Sequence, residues 1–192
     1  IDTSNDGSDD GPGERLAAEY VAQLLDDVGI ESEIWEGVPG RANVMARWGG
    51  DEGEPLLIHG HLDVVPAQAH EWQVHPFSGE IRDGMVWGRG AVDMKDFDAM
   101  LLSVVRARAQ AGAVPKRPIL LCFTADEEAG GSKGARQLVD HRPEFFEGAK
   151  LAVGEVGGFS VMVRDQRIYL IEAAEKGMAW MRLTARGRAG HG

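Results

Sequence analysis

Apolar residues recur at helical spacing in three segments and predict helices over residues 14–28, 94–111 and 133–141. In the second segment we expect Phe97, Leu101, Val104 and Val105 on the apolar side. Gly29 directly follows the first segment, and a glycine in the left-handed conformation commonly ends a helix. Residues 2–13, before this helix, are polar, acidic and rich in turn-forming residues, so they predict an exposed loop.

Short apolar or alternating runs outside these helices predict strands. Residues 118–124 form the clearest central strand, and Asp83-Gly84 lies within the alternating run 80–87, as expected for a tight hairpin. The other predicted strands are 32–35, 42–48, 55–60, 151–154, 160–164, 167–172 and 177–187. We expect 55–60 and 151–154 to be buried. Strands that alternate with helices argue for an α/β fold with a largely parallel central sheet.

Polar residues follow three of the predicted buried strands at the point where each strand ends. In open α/β sheets the ligand crevice lies at the carboxyl ends of the strands. A fourth polar segment leads into the helix at 94–111. By topology alone, one histidine and five acids converge at this edge: His61, Asp63, Asp93, Glu127, Glu128 and Glu155.

These residue types favour a metal site. Five carboxylates in one crevice repel one another and need cations or shifted protonation to coexist. An imidazole with carboxylates suits zinc, cobalt or manganese, and is too nitrogen-rich for a dedicated calcium site. Asp93 could bridge two ions, and Asp63 could accept the second N–H of His61. Of the adjacent Glu127 and Glu128, one can bind metal while the other serves as a general base.

Each of these signals is weak when taken alone. A single histidine is more often solvated or packed in the core than bound to metal, and we keep that interpretation for His59, His70, His75 and His141. The glycine-rich segments 88–90 and 130–133 lack the spacing of phosphate-binding loops. Only the joint placement of the six residues at successive strand ends favours a metal site.

Composition narrows the possible partners. The 192 residues include 31 Asp and Glu against 20 Lys and Arg, and the net charge of −11 disfavours binding to a phosphate backbone. The longest purely apolar runs, such as 119–123, are far shorter than the ~20 residues of a membrane helix. The single cysteine, Cys122, cannot form an intrachain disulfide. It fits a reducing compartment, which we expect to be the cytoplasm.

Four motifs together resemble the M20 metallopeptidase family, which includes aminoacylases, succinyl-diaminopimelate desuccinylases, acetylornithine deacetylases and glutamate carboxypeptidases. The motifs are H-G-H-L-D-V-V-P (59–66), G-R-G-A-V-D-M-K (88–95), T-A-D-E-E-A-G-G (124–131) and G-E-V (154–156). The resemblance covers essentially the whole chain. It implies a three-layer, zinc-peptidase-like catalytic domain with a mixed, largely parallel sheet.

The resemblance also implies roles for the residues at the strand ends. It implies two zinc ions per complete subunit, with Co²⁺ or Mn²⁺ as possible substitutes. The ligands would be His61 and Glu155 on one ion, Glu128 on the other and Asp93 on both. Asp63 would orient His61, and Glu127 would be the general base that activates the attacking water. A cis peptide bond between Asp93 and Met94 is a further implication.

Members of this family carry a smaller lid and dimerisation domain inserted in the catalytic domain. Residues 1–176 would belong to the catalytic domain and 177–192 to the start of the lid, whose first strand resembles 177–188. His191 would assist the oxyanion in the active site of a neighbouring subunit, so we expect a homodimer. A final metal-binding histidine, the rest of the lid and the end of the sheet would lie beyond Gly192.

The leading hypothesis is a dinuclear zinc hydrolase that cleaves an amide bond in a small peptide or N-acyl amino acid. It would act as an exopeptidase, a dipeptidase or a deacylase. One alternative is a metal-binding domain without activity, or an inactive fragment of such an enzyme. A nucleotide-binding α/β domain ranks last because the chain has no phosphate loop.

Overall fold

The computed structural model describes residues 1–155, 160–169 and 181–187. It contains three α-helices: α1 (Arg15–Asp26), α2 (Lys95–Gln110) and α3 (Ala135–His141). These confirm the three predicted helices, each shorter than predicted by one to a few residues. Gly29 has φ +75°, and Ile30 N–H donates to the Leu25 carbonyl, so the predicted glycine stop ends α1. None of the described helices is long and apolar enough to cross a membrane.

Nine strands are described, together with short 3₁₀ turns at Ala69–Glu71, Glu127–Ala129 and Pro143–Phe146. The strands are β1 (Ser32–Val38), β2 (Arg41–Trp48), β3 (Leu56–His61), β4 (Glu80–Arg82), β5 (Met85–Trp87), β6 (Ile119–Thr124), β7 (Leu151–Val153), β8 (Ser160–Val163) and β9 (Gln166–Tyr169). Asp83 and Gly84 both have positive φ between β4 and β5, as the predicted tight hairpin requires.

The central sheet has five strands in the order β1-β2-β6-β3-β7, with β6 in the middle as predicted. A short turn joins β1 to β2, and these strands pair antiparallel, as do β2 and β6. A crossover through α2 joins β3 to β6, so these strands pair parallel, and β3 also pairs parallel with β7. The sheet is therefore mixed, and its parallel half is the half whose strand ends carry the candidate site.

Helices cover both faces of this sheet and produce three layers. Alternate residues of β2 and β6 point to opposite faces, as the pleat requires. Val44 and Phe123 join α1 and α2 in the larger apolar core. Met45 and Cys122 pack on the other face against Leu138 of α3. Such burial anchors the strands from which the polar loops emerge.

Three expectations need correction. Strand β7 is not buried, because it forms the sheet edge and all three of its residues are exposed. Val104 of α2, expected on the apolar side, is 59% exposed, because the buried stripe runs through Leu102 and Val105 instead. Residues 181–187 form no strand; all seven are exposed and pair with no described strand.

The chain divides into two compact units, residues 1–155 and 156–192. The second unit contains the hairpin of β8 and β9, which confirms the predicted hairpin over its described residues. The predicted domain boundary between residues 176 and 177 lies outside the described residues, as do residues 177–180 and 188 of the predicted lid strand. This boundary stays a prediction.

Candidate metal centre

The register of the parallel strands brings the polar loops to one edge of the sheet. His61 is the last residue of β3 and lies opposite Thr124, the last residue of β6. Asp126 lies two residues after that strand end, and the 3₁₀ turn that contains Glu127 and Glu128 follows it directly. Glu155 comes two residues after β7, the other parallel neighbour of β3.

Three side chains from these loops meet in a group that could hold a cation. The Nε2 atom of His61 lies 3.1 Å from Asp93 Oδ1 and 3.7 Å from Glu155 Oε2. The ligand atoms of the three residues all lie within 4.8 Å of one another. His61 is fully buried, whereas the Asp93 side chain is 57% exposed. The group therefore has a fixed imidazole at its base and carboxylates open to solvent.

The two glutamates after β6 reach different partners, as adjacent residues in a turn do. Glu127 Oε2 lies 3.6 Å from His61 Nε2, so this carboxylate borders the three-residue group. Glu128 Oε1 accepts a hydrogen bond from Val65 N–H at 3.2 Å. The structure thus places Glu127 beside the group and the Glu128 carboxylate against the loop after β3.

The hydrogen bond between Asp63 and His61 differs from the expected one. The backbone carbonyl of Asp63 lies 3.0 Å from His61 Nδ1 and forms the hydrogen bond, whereas its carboxylate Oδ1 lies 3.6 Å from Nδ1. The carboxylate instead accepts the backbone N–H groups of Glu127 and Glu128 at 3.0 and 3.1 Å. Asp63 therefore positions both the imidazole and the turn after β6.

The segment before α2 contributes a second backbone feature. The Asp93–Met94 peptide bond is cis, as the family resemblance implies. Met94 is 1% exposed, and its sulfur accepts the His61 N–H at 3.2 Å. The residue that follows Asp93 thus contacts the backbone of the buried histidine. Nothing in the sequence pattern predicted this contact.

Charges in the group shift the pKa values of its members. Burial acts to lower the pKa of His61, but the carboxyl groups around it outweigh burial and raise the pKa to about 9. Burial and the carboxylate of Asp93 raise the pKa of Glu155 to about 7. Burial and Asp93 also raise the pKa of Glu128. Excess negative charge is concentrated here, and a cation would offset it.

The donor set fits a divalent transition metal. One imidazole nitrogen with carboxylate oxygens is typical of zinc, cobalt or manganese sites. His61 also donates through its second ring nitrogen, Nδ1, to a backbone carbonyl, a partner that commonly fixes a metal-binding histidine. His59, which we did not assign to the site, lies 3.0 Å from Thr124 Oγ1 through its Nε2 atom. His191 lies outside the described residues.

Two buried polar residues of the site were missed in the sequence. Asn5 is 3% exposed and donates to the Asp63 carboxylate, although residues 2–13 predicted an exposed loop. Asp126 is 1% exposed, has φ +66° and begins the turn that contains Glu127 and Glu128. The only sequence signal for the burial of Asn5 was its position two residues after Thr3, a polar residue that is also buried.

Comparison with known proteins identifies the family. The family model described as peptidase family M20/M25/M40 matches residues 57–169, more than half of the chain. The chain belongs to this family. The match includes His61, Asp93 and Glu127 and ends beyond Glu155, so it covers the candidate metal centre.

Two curated relatives and one solved structure show the M20 similarity in detail. A succinyl-diaminopimelate desuccinylase of Paracoccus denitrificans is 33% identical over 94% of this chain and 46% of its own length. Aminoacylase-1 of Sus scrofa is 31% identical over 94% of this chain and 44% of its own length. The crystal structure of human carnosine dipeptidase 1 is 26% identical, with a TM-score of 0.64 over 73% of this chain and 32% of that one. The chain thus spans less than half the length of these relatives.

Proposed function

We propose that this M20 chain carries the catalytic centre of a metal-dependent hydrolase that cleaves an amide bond in a small peptide or an N-acyl amino acid. One observation carries the proposal: His61 lies within 4 Å of carboxylate oxygens from Asp93, Glu127 and Glu155. The desuccinylase, aminoacylase and dipeptidase relatives are named for such substrates. Their similarity supports this substrate class.

The proposed centre holds two Zn²⁺ ions, for which Co²⁺ or Mn²⁺ could substitute. His61 and Glu155 would bind one ion, Glu128 the other, and Asp93 both. The meeting of His61, Asp93 and Glu155 supports the first ion, and the effect of Asp93 on the pKa of Glu128 supports the proximity needed for the second. When bound, such ions lower the pKa of a water molecule and polarise an amide carbonyl.

The protein's own groups would supply the proton transfers. Glu127, 47% exposed and beside His61, would take a proton from the attacking water and pass it to the leaving amine. Asp63 would hold the turn that carries Glu127, through the Glu127 N–H bond at 3.0 Å. We also propose that His191 donates to the oxyanion of the tetrahedral intermediate.

The substitution Glu127→Gln tests the base assignment in the full-length protein. The amide cannot accept a proton, so we expect kcat to fall by roughly 10²- to 10⁴-fold on a panel of dipeptides and N-acyl amino acids. Metal content should remain two ions per chain. Glu52→Gln, which changes an exposed glutamate that precedes the start of β3, at the opposite end of this strand from His61, is the matched control and should leave kcat unchanged.

Turnover, metal content and melting temperature together separate the alternative functions. Normal turnover by Glu127→Gln would refute the base assignment. Two bound ions without turnover by the unaltered protein would favour a metal-binding domain without activity. A melting temperature that does not respond to chelator would favour a site of another kind, such as a nucleotide-binding domain.

The family resemblance supports two further proposals about the whole protein, and the cysteine content supports a third. Residues 1–176 would form the catalytic part, and 177–192 would begin the lid through which a homodimer forms. Size measurement by light scattering tests the dimer, because a monomer at micromolar concentration would contradict it. The single cysteine, buried Cys122, supports a cytoplasmic location. Fractionation of cells that express the protein would test this location.

A further inference from the structure

The N-terminal segment is paired with the loop that follows β3. Thr3 Oγ1 donates to the Leu62 carbonyl at 2.7 Å, and Val64 N–H donates to the Thr3 carbonyl at 3.2 Å. Asn5 N–H then donates to the Val64 carbonyl at 2.9 Å. These bonds hold Asn5 in a buried position beside the metal centre, although it is 58 residues from Asp63 in the sequence.

The side-chain amide of Asn5 lies between two buried acids. Its Nδ2 atom donates to Asp63 Oδ2 at 2.8 Å and to Asp126 Oδ1 at 3.2 Å. Its Oδ1 atom accepts the Gly7 N–H at 3.0 Å. An amide has two N–H donors and one oxygen acceptor, so every polar group of this side chain has a partner.

These two acids hold both sides of the turn that carries Glu127 and Glu128. Asp63 accepts the backbone N–H groups of both glutamates. Asp126 immediately precedes the turn, and its Oδ2 atom accepts the Lys133 N–H at 2.8 Å beyond it. A shift of either carboxyl group would therefore move the turn and the side chains that it presents.

We propose that Asn5 is a positioning residue: its amide joins Asp63 to Asp126 and so fixes the turn that presents Glu127 and Glu128 to the metal centre. The part of this proposal that concerns catalysis rests on the proposed hydrolase function. The part that concerns the geometry of the centre does not. Asp63 and Asp126 are 0% and 1% exposed, so solvent cannot replace the donor that Asn5 supplies.

Two variants separate hydrogen-bond donation from packing. Asn5→Asp keeps the shape of the side chain but replaces the amide donor by a third carboxyl group beside two others. Asn5→Ala removes the side chain. Ser4→Ala is the matched control, because it removes the neighbouring side chain, whose hydroxyl donates to Asp2, and leaves the bonds that hold Asn5 intact.

We expect both Asn5 variants of the full-length protein to lower kcat by roughly 10- to 100-fold at saturating Co²⁺, the effect typical of residues that orient metal ligands. KM should change by less than about threefold, because substrate contacts are not altered. Ser4→Ala should leave kcat within about twofold. Unchanged kcat in Asn5→Asp would overturn the proposal, since packing alone would then suffice.

Cobalt binding tests the geometry without turnover. Titration of the metal-free protein with Co²⁺, followed by its visible absorption bands, should show a Kd about tenfold higher for both Asn5 variants than for Ser4→Ala. If the unaltered protein hydrolyses no substrate but this difference is found, the hydrolase proposal fails and the positioning role stands. Equal Kd values and spectra for all three variants would refute the positioning role.

Discussion

The buried carboxyl group of Asp98 is expected to make the stability of the protein sensitive to pH. Asp98 lies in the first turn of α2 and is 4% exposed, and neither of its oxygens has a hydrogen-bond partner among the described residues. It packs against Gly60, where its Oδ1 atom occupies the space that a Cβ atom would need. Burial raises the pKa of Asp98 from 3.8 to about 7.

This shift makes stability depend on pH. The folded protein holds the Asp98 proton more tightly than the unfolded chain, so the resulting stability is present below about pH 4 and is lost as the pH rises through 7. One pKa unit corresponds to ~1.4 kcal/mol, so the whole effect is about 4 kcal/mol, of which about 2 kcal/mol falls between pH 5.5 and 8. The substitution Asp98→Asn removes the titration and keeps the shape.

Urea unfolding in the presence of chelator, at pH 5.5 and pH 8, measures this effect. The free energy of unfolding of Asp98→Asn, relative to the unaltered protein, should rise by about 2 kcal/mol between the two pH values. Asp10→Asn, which changes an exposed carboxyl group, is the control for removal of one acid. A difference between Asp98→Asn and the unaltered protein that does not change with pH would refute the reasoning.

Three further predictions concern stability. Arg41→Met should lower the free energy of unfolding by about 3–5 kcal/mol, because it leaves the 0% exposed Glu14 without its ionic partner. Glu14→Gln added to this variant should restore most of the lost stability. Gly134→Ala would place a Cβ atom 1.7 Å from the Ala125 carbonyl oxygen, so it should cost about 3 kcal/mol, and an unchanged urea midpoint would contradict this. Co²⁺ at 100 times its Kd should add about 2.7 kcal/mol of stability in thermal unfolding, and His61→Ala should abolish the gain.

The local pattern of the chain predicted most of the elements. The apolar run of β6 indicated its central place in the sheet, and the glycine after α1 marked where that helix ends. Strand β7 was misjudged because its three residues are as apolar as those of a buried strand. Burial of a strand depends on which elements pack on its two faces, and the three residues of the strand do not specify those elements.

The residues of the candidate site could be predicted from the sequence, but the hydrogen bonds among them could not. The rule that ligands bind at the carboxyl ends of parallel strands was sufficient to predict that His61, Asp93 and Glu155 lie close together. It could not predict that Asn5 contacts Asp126, which lies 121 residues later in the sequence. Nor could spacing show that the backbone carbonyl of Asp63, rather than its carboxylate, bonds to the imidazole.

Hydrogen-bond donors, more than position, distinguish the acids at this edge of the sheet. The Asp63 carboxylate accepts three N–H groups, and together with the nearby imidazole these outweigh burial and keep its pKa below the usual range. Asp93 and Glu155 instead share one imidazole nitrogen, and their mutual repulsion contributes to the raised pKa of Glu155. A cation gains little from a carboxylate whose lone pairs are already used, and more from two that repel each other. This difference favours the proposed roles, in which Asp63 supports the site and Asp93 and Glu155 bind metal, although all three lie on neighbouring loops.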